Sequence, residues 1–198
     1  MTGGEARGEG TRDALFDAAK LLFRDLGYTR TSHADITAEA GIGRTTFYEH
    51  FTSKEDLLVQ LVERDLPALI DEILRSVDPS LPPDVRLREL TVRVVEFVGT
   101  DHIGLILHTE VPKLSPDSQE AIGAAHGSLA TEFMDIYRRG VSDGSFRQMP
   151  PMLAGRLIES TMMMGGRVVM DMDEPKAHAH EIADATAGFL AGALRREH

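Results

Sequence analysis

The chain contains no cysteine. Disulfides, thiolate metal sites and cysteine nucleophiles are thereby excluded together, and the composition fits a reducing compartment. Long apolar runs are missing as well: none approaches the roughly 18 residues of a membrane span. The opening stretch MTGGEARGEG lacks the apolar centre of a secretory signal, which points to a cytoplasmic protein with no membrane partner. Gly-rich and charged, residues 1–10 read as a disordered tail. Strand signals are scarce, with few period-2 runs and few β-branched clusters. Basic charge is scarce too: 21 Lys and Arg face 32 Asp and Glu, for a net charge of −11. Such a balance is the opposite of the basic footprint of a nucleic-acid binder. Its distribution softens the conflict, because residues 1–64 carry eight basic and eleven acidic side chains and the larger excess of acid lies beyond them. A DNA binder of this composition would depend on a few well-placed cations.

What is present is helical periodicity. Leu15, Ala18, Ala19, Leu22, Phe23 and Leu26 recur at three- and four-residue steps between Thr11, a plausible N-cap, and Gly27. Ser32 and Asp35 form a capping pattern for a short helix that Gly41 ends. A third helix is expected from about Arg44 to His50. Thr52 and Glu55 then have the spacing of a capping box, followed by apolar Leu57, Leu58, Leu61, Val62 and Leu66 in a connector helix over about 53–77. Pro67 predicts a kink or break in it. After the interruption DPSLPP, helices are expected over about 84–99, 102–111, 117–141, 150–171 and 176–196. The fold class is all-α.

Two short helices joined by a tight Gly-containing turn make a helix-turn-helix, whose second helix enters the major groove. Phe47 and Phe51 stand at i, i+4 and share an inward face with Ile36 and Ile42. Arg44, Thr45 and Tyr48 are left facing outward. Arginine can give two parallel bonds to guanine, and a threonine methyl can meet a thymine methyl. Tyrosine and threonine hydroxyls suit phosphates, as does Lys54 beside the free amides at the start of the fourth helix.

The segment ADITAEAGIGRTTFYEHFTSKEDLL, with ALFDAAKLLFRDLGYTRTS before it, closely resembles the N-terminal signature of the TetR family of bacterial transcriptional regulators. The resemblance combines A-x-I-x-x-x-A-G, T-x-Y-x-H-F and S-K-E-x-L-L; beyond Leu58 it is architectural. It implies DNA-facing positions at Ser32, His33, Gly43, Arg44, Thr45, Tyr48, His50 and Lys54. Gly43 stands where the family often has serine. It also implies a helix-turn-helix domain over residues 11–56 and an effector-binding and dimerisation domain over residues 57–198. The protein would be a homodimer formed through its last two helices, the first carrying Leu153, Leu157, Ile158, Thr161, Met164, Gly165 and Val168 and the second Ile182, Ala185, Phe189, Leu190, Ala193 and Leu194. It would be a repressor released from a palindromic double-stranded operator by a small lipophilic or aromatic effector.

Candidates for the effector pocket are Phe97, His102, Leu105, His108, Phe133, Met134, Tyr137, Met162, Met163 and Arg167, because methionine and aromatic side chains suit adaptable apolar sites. No metal or cofactor is expected: His178 and His180, two residues apart, diverge by roughly 200° on a helix. A second domain that binds a protein partner or metal is the alternative. An all-α enzyme built on His108 and Glu110 would lack an accompanying nucleophile, metal or phosphate loop.

Overall fold

The computed structural model describes residues 3–196, without the side chains of residues 3–7 and 9 and of His102, Leu105 and His108. The order is α1 (Gly3–Asp25), α2 (His33–Glu39), α3 (Arg44–His50), α4 (Lys54–Arg75) and α5 (Pro83–Thr100). There follow α6 (His102–Thr109), a 3-10 turn (Val111–Lys113), α7 (Pro116–Ala125), α8 (Gly127–Asp143), α9 (Pro151–Met170) and α10 (Pro175–Leu194). The only β pairing among the described residues is an isolated bridge between Phe146 and Arg195.

Four local expectations differ from what is found. Residues 3–10, read as a tail, continue α1 toward the N-terminus; Thr11 is therefore interior and not a cap. Extending a helix that already exists avoids the unfavourable nucleation step, and Glu5, Ala6, Arg7 and Glu9, good helix formers, offset Gly3, Gly4, Gly8 and Gly10, which are weak ones. Residues 117–141 form two helices, divided at His126, whose N–H closes α7 on Ala124 and Gly123. The flanking Gly123 and Gly127 are weak helix formers and lower the cost of the break. The cap of α4 lies one residue late: Ser53 Oγ accepts from Asp56 N at 3.0 Å, while Asp56 Oδ2 accepts from Thr52 N at 2.7 Å and Thr52 Oγ1 at 3.0 Å. Glu55 is thus released for another role. Finally, of the kink or break expected at Pro67, the break is absent, and α4 is continuous over Lys54–Arg75. One lost backbone bond is offset there by buried neighbours, Leu66 and Ile70.

Two buried clusters share the interior. In the first, Leu15, Phe16 and Phe23 of α1 meet Ile36, Phe47 and Phe51, and then Leu57, Leu61, Leu66 and Ile70 of α4. Ile103, Ile106, Leu114 and Ile122 belong to the same cluster, so α6 and α7 pack with the helix-turn-helix. The second cluster draws on α5, α8, α9 and α10, with Phe133, Ile136, Tyr137, Ile158 and Met162 among its members. Helices α5 and α9 approach very closely: a methyl group at Gly99 would lie 2.5 Å from Val169 Cβ, and one at Gly166 would lie 2.3 Å from Val98 Cγ1. Phe97, Leu74 and Leu129 touch both clusters. Packing therefore does not divide at residues 56/57. The connector and α6–α7 are held in common.

Candidate functional site

The short α2 is opened by a complete capping box. Ser32 Oγ accepts from Asp35 N at 3.2 Å, and Asp35 Oδ2 accepts from Ser32 N at 2.8 Å. Ser32 Oγ also donates to Asp35 Oδ2 at 2.7 Å, and these bonds hold the Asp35 carboxyl below the usual range. The hydroxyl proton of Ser32, one of the positions expected to face DNA, is thus engaged in capping. Gly41 makes the turn with φ +66°, a left-handed conformation that glycine adopts without strain. Ile42 N then donates to Thr37 O at 2.9 Å. Gly43 is the N-cap of α3 and supplies no side-chain cap; it is exposed at the surface.

Within α3, Phe47 is 0% exposed and Tyr48 is 47% exposed. Neighbouring residues on a helix differ by about 100° in direction, so one aromatic ring faces the core and the next faces out. Phe47 and Phe51 lie 5.7 Å apart between ring centres, and Phe51 meets Phe16 of α1 at 5.2 Å. This aromatic set fixes α3 against α1. Arg44, Thr45 and Tyr48 form one exposed edge, with the Arg44 guanidinium 5.9 Å from the centre of the Tyr48 ring. His33, at the start of α2, stacks on Tyr48 at 5.8 Å and meets Phe47 edge-on at 5.1 Å. Burial lowers the His33 pKa, and the cations of Lys54 and Arg44 lower it further. A neutral ring therefore backs the exposed tyrosine. His50 is half-buried beside Phe51, 6.4 Å between rings, away from the Arg44 edge.

Lys54 has a different place from the expected one. Its Nζ donates to Tyr28 O at 2.7 Å and Thr31 O at 2.8 Å, and lies 4.1 Å from the centre of the Tyr28 ring. Two of the three ammonium donors thus hold the α1–α2 turn against α4. Burial lowers the Lys54 pKa, with Glu110 acting in the opposite sense. The Tyr28 phenol is pushed up to about 12 by burial, with Glu55 and Glu110 adding to the effect. Three further bonds tie this head to α6–α7. Thr29 Oγ1 donates to Glu110 Oε2 at 3.2 Å, and Glu55 Oε1 accepts from Ser115 N at 2.9 Å and Ser115 Oγ at 2.6 Å. Sequence reasoning missed these partners. Their separations of 81 and 60 residues leave no local pattern to read.

The residues expected around an effector are brought together in part. Phe133, Tyr137 and Met162 are buried in the second core, with Met134 and Met163 packed against it and Phe97 at its junction with the first. The Tyr137 hydroxyl accepts from Met149 N at 2.9 Å and donates to Met149 O at 3.2 Å, so it holds the α8–α9 connection. Arg167 does not join them. It stands on the exposed face of α9, 3.8 Å from Asp171. His102, Leu105 and His108 lie outside the described side chains. Of two open grooves, one of about 440 Å³ runs between α9 and α10, lined by Leu157, Met164, Val168, Ile182 and Phe189. The other, about 780 Å³, lies between Arg24, the α5–α6 turn and the α9–α10 turn. None of the expected effector residues whose side chains are described lines either groove. Among the described residues, no three His, Asp or Glu side chains are grouped to hold a metal ion, and no helix is long and apolar enough to cross a membrane.

Comparison with known proteins adds the following. Residues 15–61 match the profile of bacterial regulatory proteins of the tetR family, and residues 80–164 match the tetracyclin repressor-like C-terminal domain. The transcriptional repressor LfrR of Mycolicibacterium smegmatis is 31% identical over 188 residues, covering 94% of this chain and 91% of that protein. The repressor KstR2 of Rhodococcus jostii is 28% identical over 174 residues, covering 82% and 84%. The solved structure of the fatty acid degradation regulator FadR from Bacillus halodurans superposes with a TM-score of 0.76 at 19% identity, over 94% of this chain and 97% of that one. It shares the fold.

Proposed function

The chain belongs to the TetR family of bacterial transcriptional regulators, and from that premise we propose that it is a homodimeric cytoplasmic repressor whose operator is a palindrome. It is a DNA-binding regulator and not an enzyme. The exposed Arg44–Thr45–Tyr48 edge, backed by buried Phe47 and Phe51, carries this reading. Arg44 reads a base, and the hydroxyls of Thr45 and Tyr48 set the register on phosphates. Two relatives named as repressors support the sign of the response. The second protomer packs on the bare apolar face of α9 and α10, where Met164 is 62% and Phe189 68% exposed. Successive major grooves on one side of DNA lie about 34–36 Å apart, and the pair of α3 helices must match that spacing.

The effector is a small lipophilic or aromatic molecule received by the second core, with its methionines and Phe133. Its entry displaces α4 and α6–α7, which share the first core with the reading helices, and the spacing of the two α3 helices is lost. The test begins with selection of bound genomic fragments, followed by fluorescence anisotropy on the operator recovered. Arg44→Ala should cost about 1–3 kcal/mol, with relaxed preference at one base position. Unchanged affinity and preference would remove Arg44 from the interface.

A further inference from the structure

Among the described residues, two side chains bury a polar atom with no hydrogen-bond partner: His33 Nε2, at the reading surface, and Thr91 Oγ1, in α5. Thr91 is 0% exposed. A threonine inside a helix ordinarily gives its hydroxyl proton to the carbonyl one turn back. This chain follows that habit elsewhere: Thr100 donates to Glu96 O, Thr131 to Gly127 O, Thr161 to Leu157 O and Thr186 to Ile182 O. Thr91 does not. Its neighbours along the same stripe of α5 are Leu87, Val94, Val95 and Val98, all buried. Valine would fill this place in the same shape without an unpaired hydroxyl, which costs stability when buried.

The position of Thr91 gives the hydroxyl a use. It lies seven residues before Val98, on nearly the same side of α5, and Val98 packs against Gly166 of α9. The buried stripe of α9 continues back from Gly166 through Met162 and Ile158. Met134, Met149 and Met163 pack against the same core. Methionine re-packs readily around a guest, so this is the part of the interior best able to open.

We propose that Thr91 is the polar anchor of the effector site, and that the effector is a neutral, largely apolar molecule with a single carbonyl or hydroxyl group. A hydroxyl can both donate and accept, which suits a ketone or an alcohol. A charged group in this stripe would lie buried without a counterion, which is strongly unfavourable; the buried cation of α5, Arg86, is already paired with Glu132 and Val77 O. The proposal rests on the reading that the C-terminal half receives a small-molecule effector.

Nile red, an uncharged polycyclic dye with one carbonyl, serves as the probe for titration of the full-length protein, alongside thermal melting. Thr91→Val should keep or raise the melting temperature while weakening dye binding about three- to tenfold, the value of one neutral hydrogen bond. Thr91→Ser should retain binding. The pair Thr91→Ser and Thr91→Ala gives the same contrast if the valine variant does not fold. Equal dye affinity in wild type and Thr91→Val, or no binding to wild type, overturns the proposal; the first result would place the dye elsewhere, such as the α9–α10 groove. Operator binding of wild type, measured separately, tests the regulator reading, so the two failures are distinguishable.

Discussion

Lys54 separates two readings of one side chain, and Lys54→Met is the perturbation that decides between them. Methionine keeps the stem and removes the ammonium. In the structure the ammonium makes bonds of 2.7 and 2.8 Å to Tyr28 O and Thr31 O and sits 4.1 Å over the Tyr28 ring. Bonds to a charged donor contribute about 1.5–3 kcal/mol each, and the half-buried setting favours the lower end. The ring contact adds about 0.5 kcal/mol, and rehydration of the freed carbonyls returns about 1 kcal/mol. A net loss of about 2–3 kcal/mol follows, or about 5–10 °C in melting temperature for a chain of this size. Calorimetry reads the first quantity, and operator affinity at several salt concentrations reads a second. A lysine that holds a turn together leaves the salt slope unchanged. One that neutralises a phosphate in each protomer contributes about −0.9 per contact to the slope of log K against log salt, so its loss makes a dimer's slope shallower by about 1.8. Melting shifted by less than about 2 °C together with such a change in slope would refute the internal role.

Two other outcomes are expected. Phe189→Glu places a charge on the bare α9–α10 face and should convert the protein to a monomer in analytical ultracentrifugation, with operator affinity falling in parallel; a variant that remains dimeric would relocate the interface. The Glu55 carboxyl is held below its ordinary pKa by the hydroxyls of Ser115 and Ser118 and the Ser115 amide. A depressed carboxylate contributes stability that is complete above its unfolded value of about 4.3 and is lost as pH falls through the lower folded value. Melting followed from pH 7 to pH 3 should therefore decline less steeply in Glu55→Gln than in wild type below about pH 4.5, and parallel curves would mean that the Glu55–Ser115 contact carries no linkage.

Most of the helices were legible because a 3.6-residue apolar period is a local property. The exposed edge of α3 was legible for the same reason: with Phe47 and Phe51 buried, Arg44, Thr45 and Tyr48 are among the side chains left to solvent. The anchoring of Lys54 was not, because its partners lie 26 and 23 residues away and free amides at a helix start suggest a phosphate site whatever surrounds them. Arg167 illustrates a second limit. Helix α9 has apolar residues on two sides, Ile158 and Met162 inside and Leu157, Met164 and Val168 at the surface. A sequence period cannot show which of two apolar stripes meets its own core. The division of α7 from α8 turned on two flanking glycines, where the pattern alone reads as continuous.

The shortage of basic charge becomes intelligible through these local details. Ser32 is occupied in its cap and Lys54 in its turn, so in the proposed dimer each head would present few groups to DNA, with Arg44 its principal cation. A half-site held by few contacts binds weakly, and the two heads of the proposed dimer would gain affinity by acting together, through an effective concentration set by the rest of the assembly. That gain exists only while the span between the heads fits the groove spacing. Weak half-sites therefore make the complex sensitive to geometry, and a coupling free energy of about 1–3 kcal/mol is enough to change occupancy several-fold or more. Helix α4 is well placed to deliver it, since Leu57, Leu61 and Leu66 pack with α1–α3 while Val77, just past its end, belongs to the second core. A strongly basic head would hold DNA through a small displacement; a head with little charge releases it.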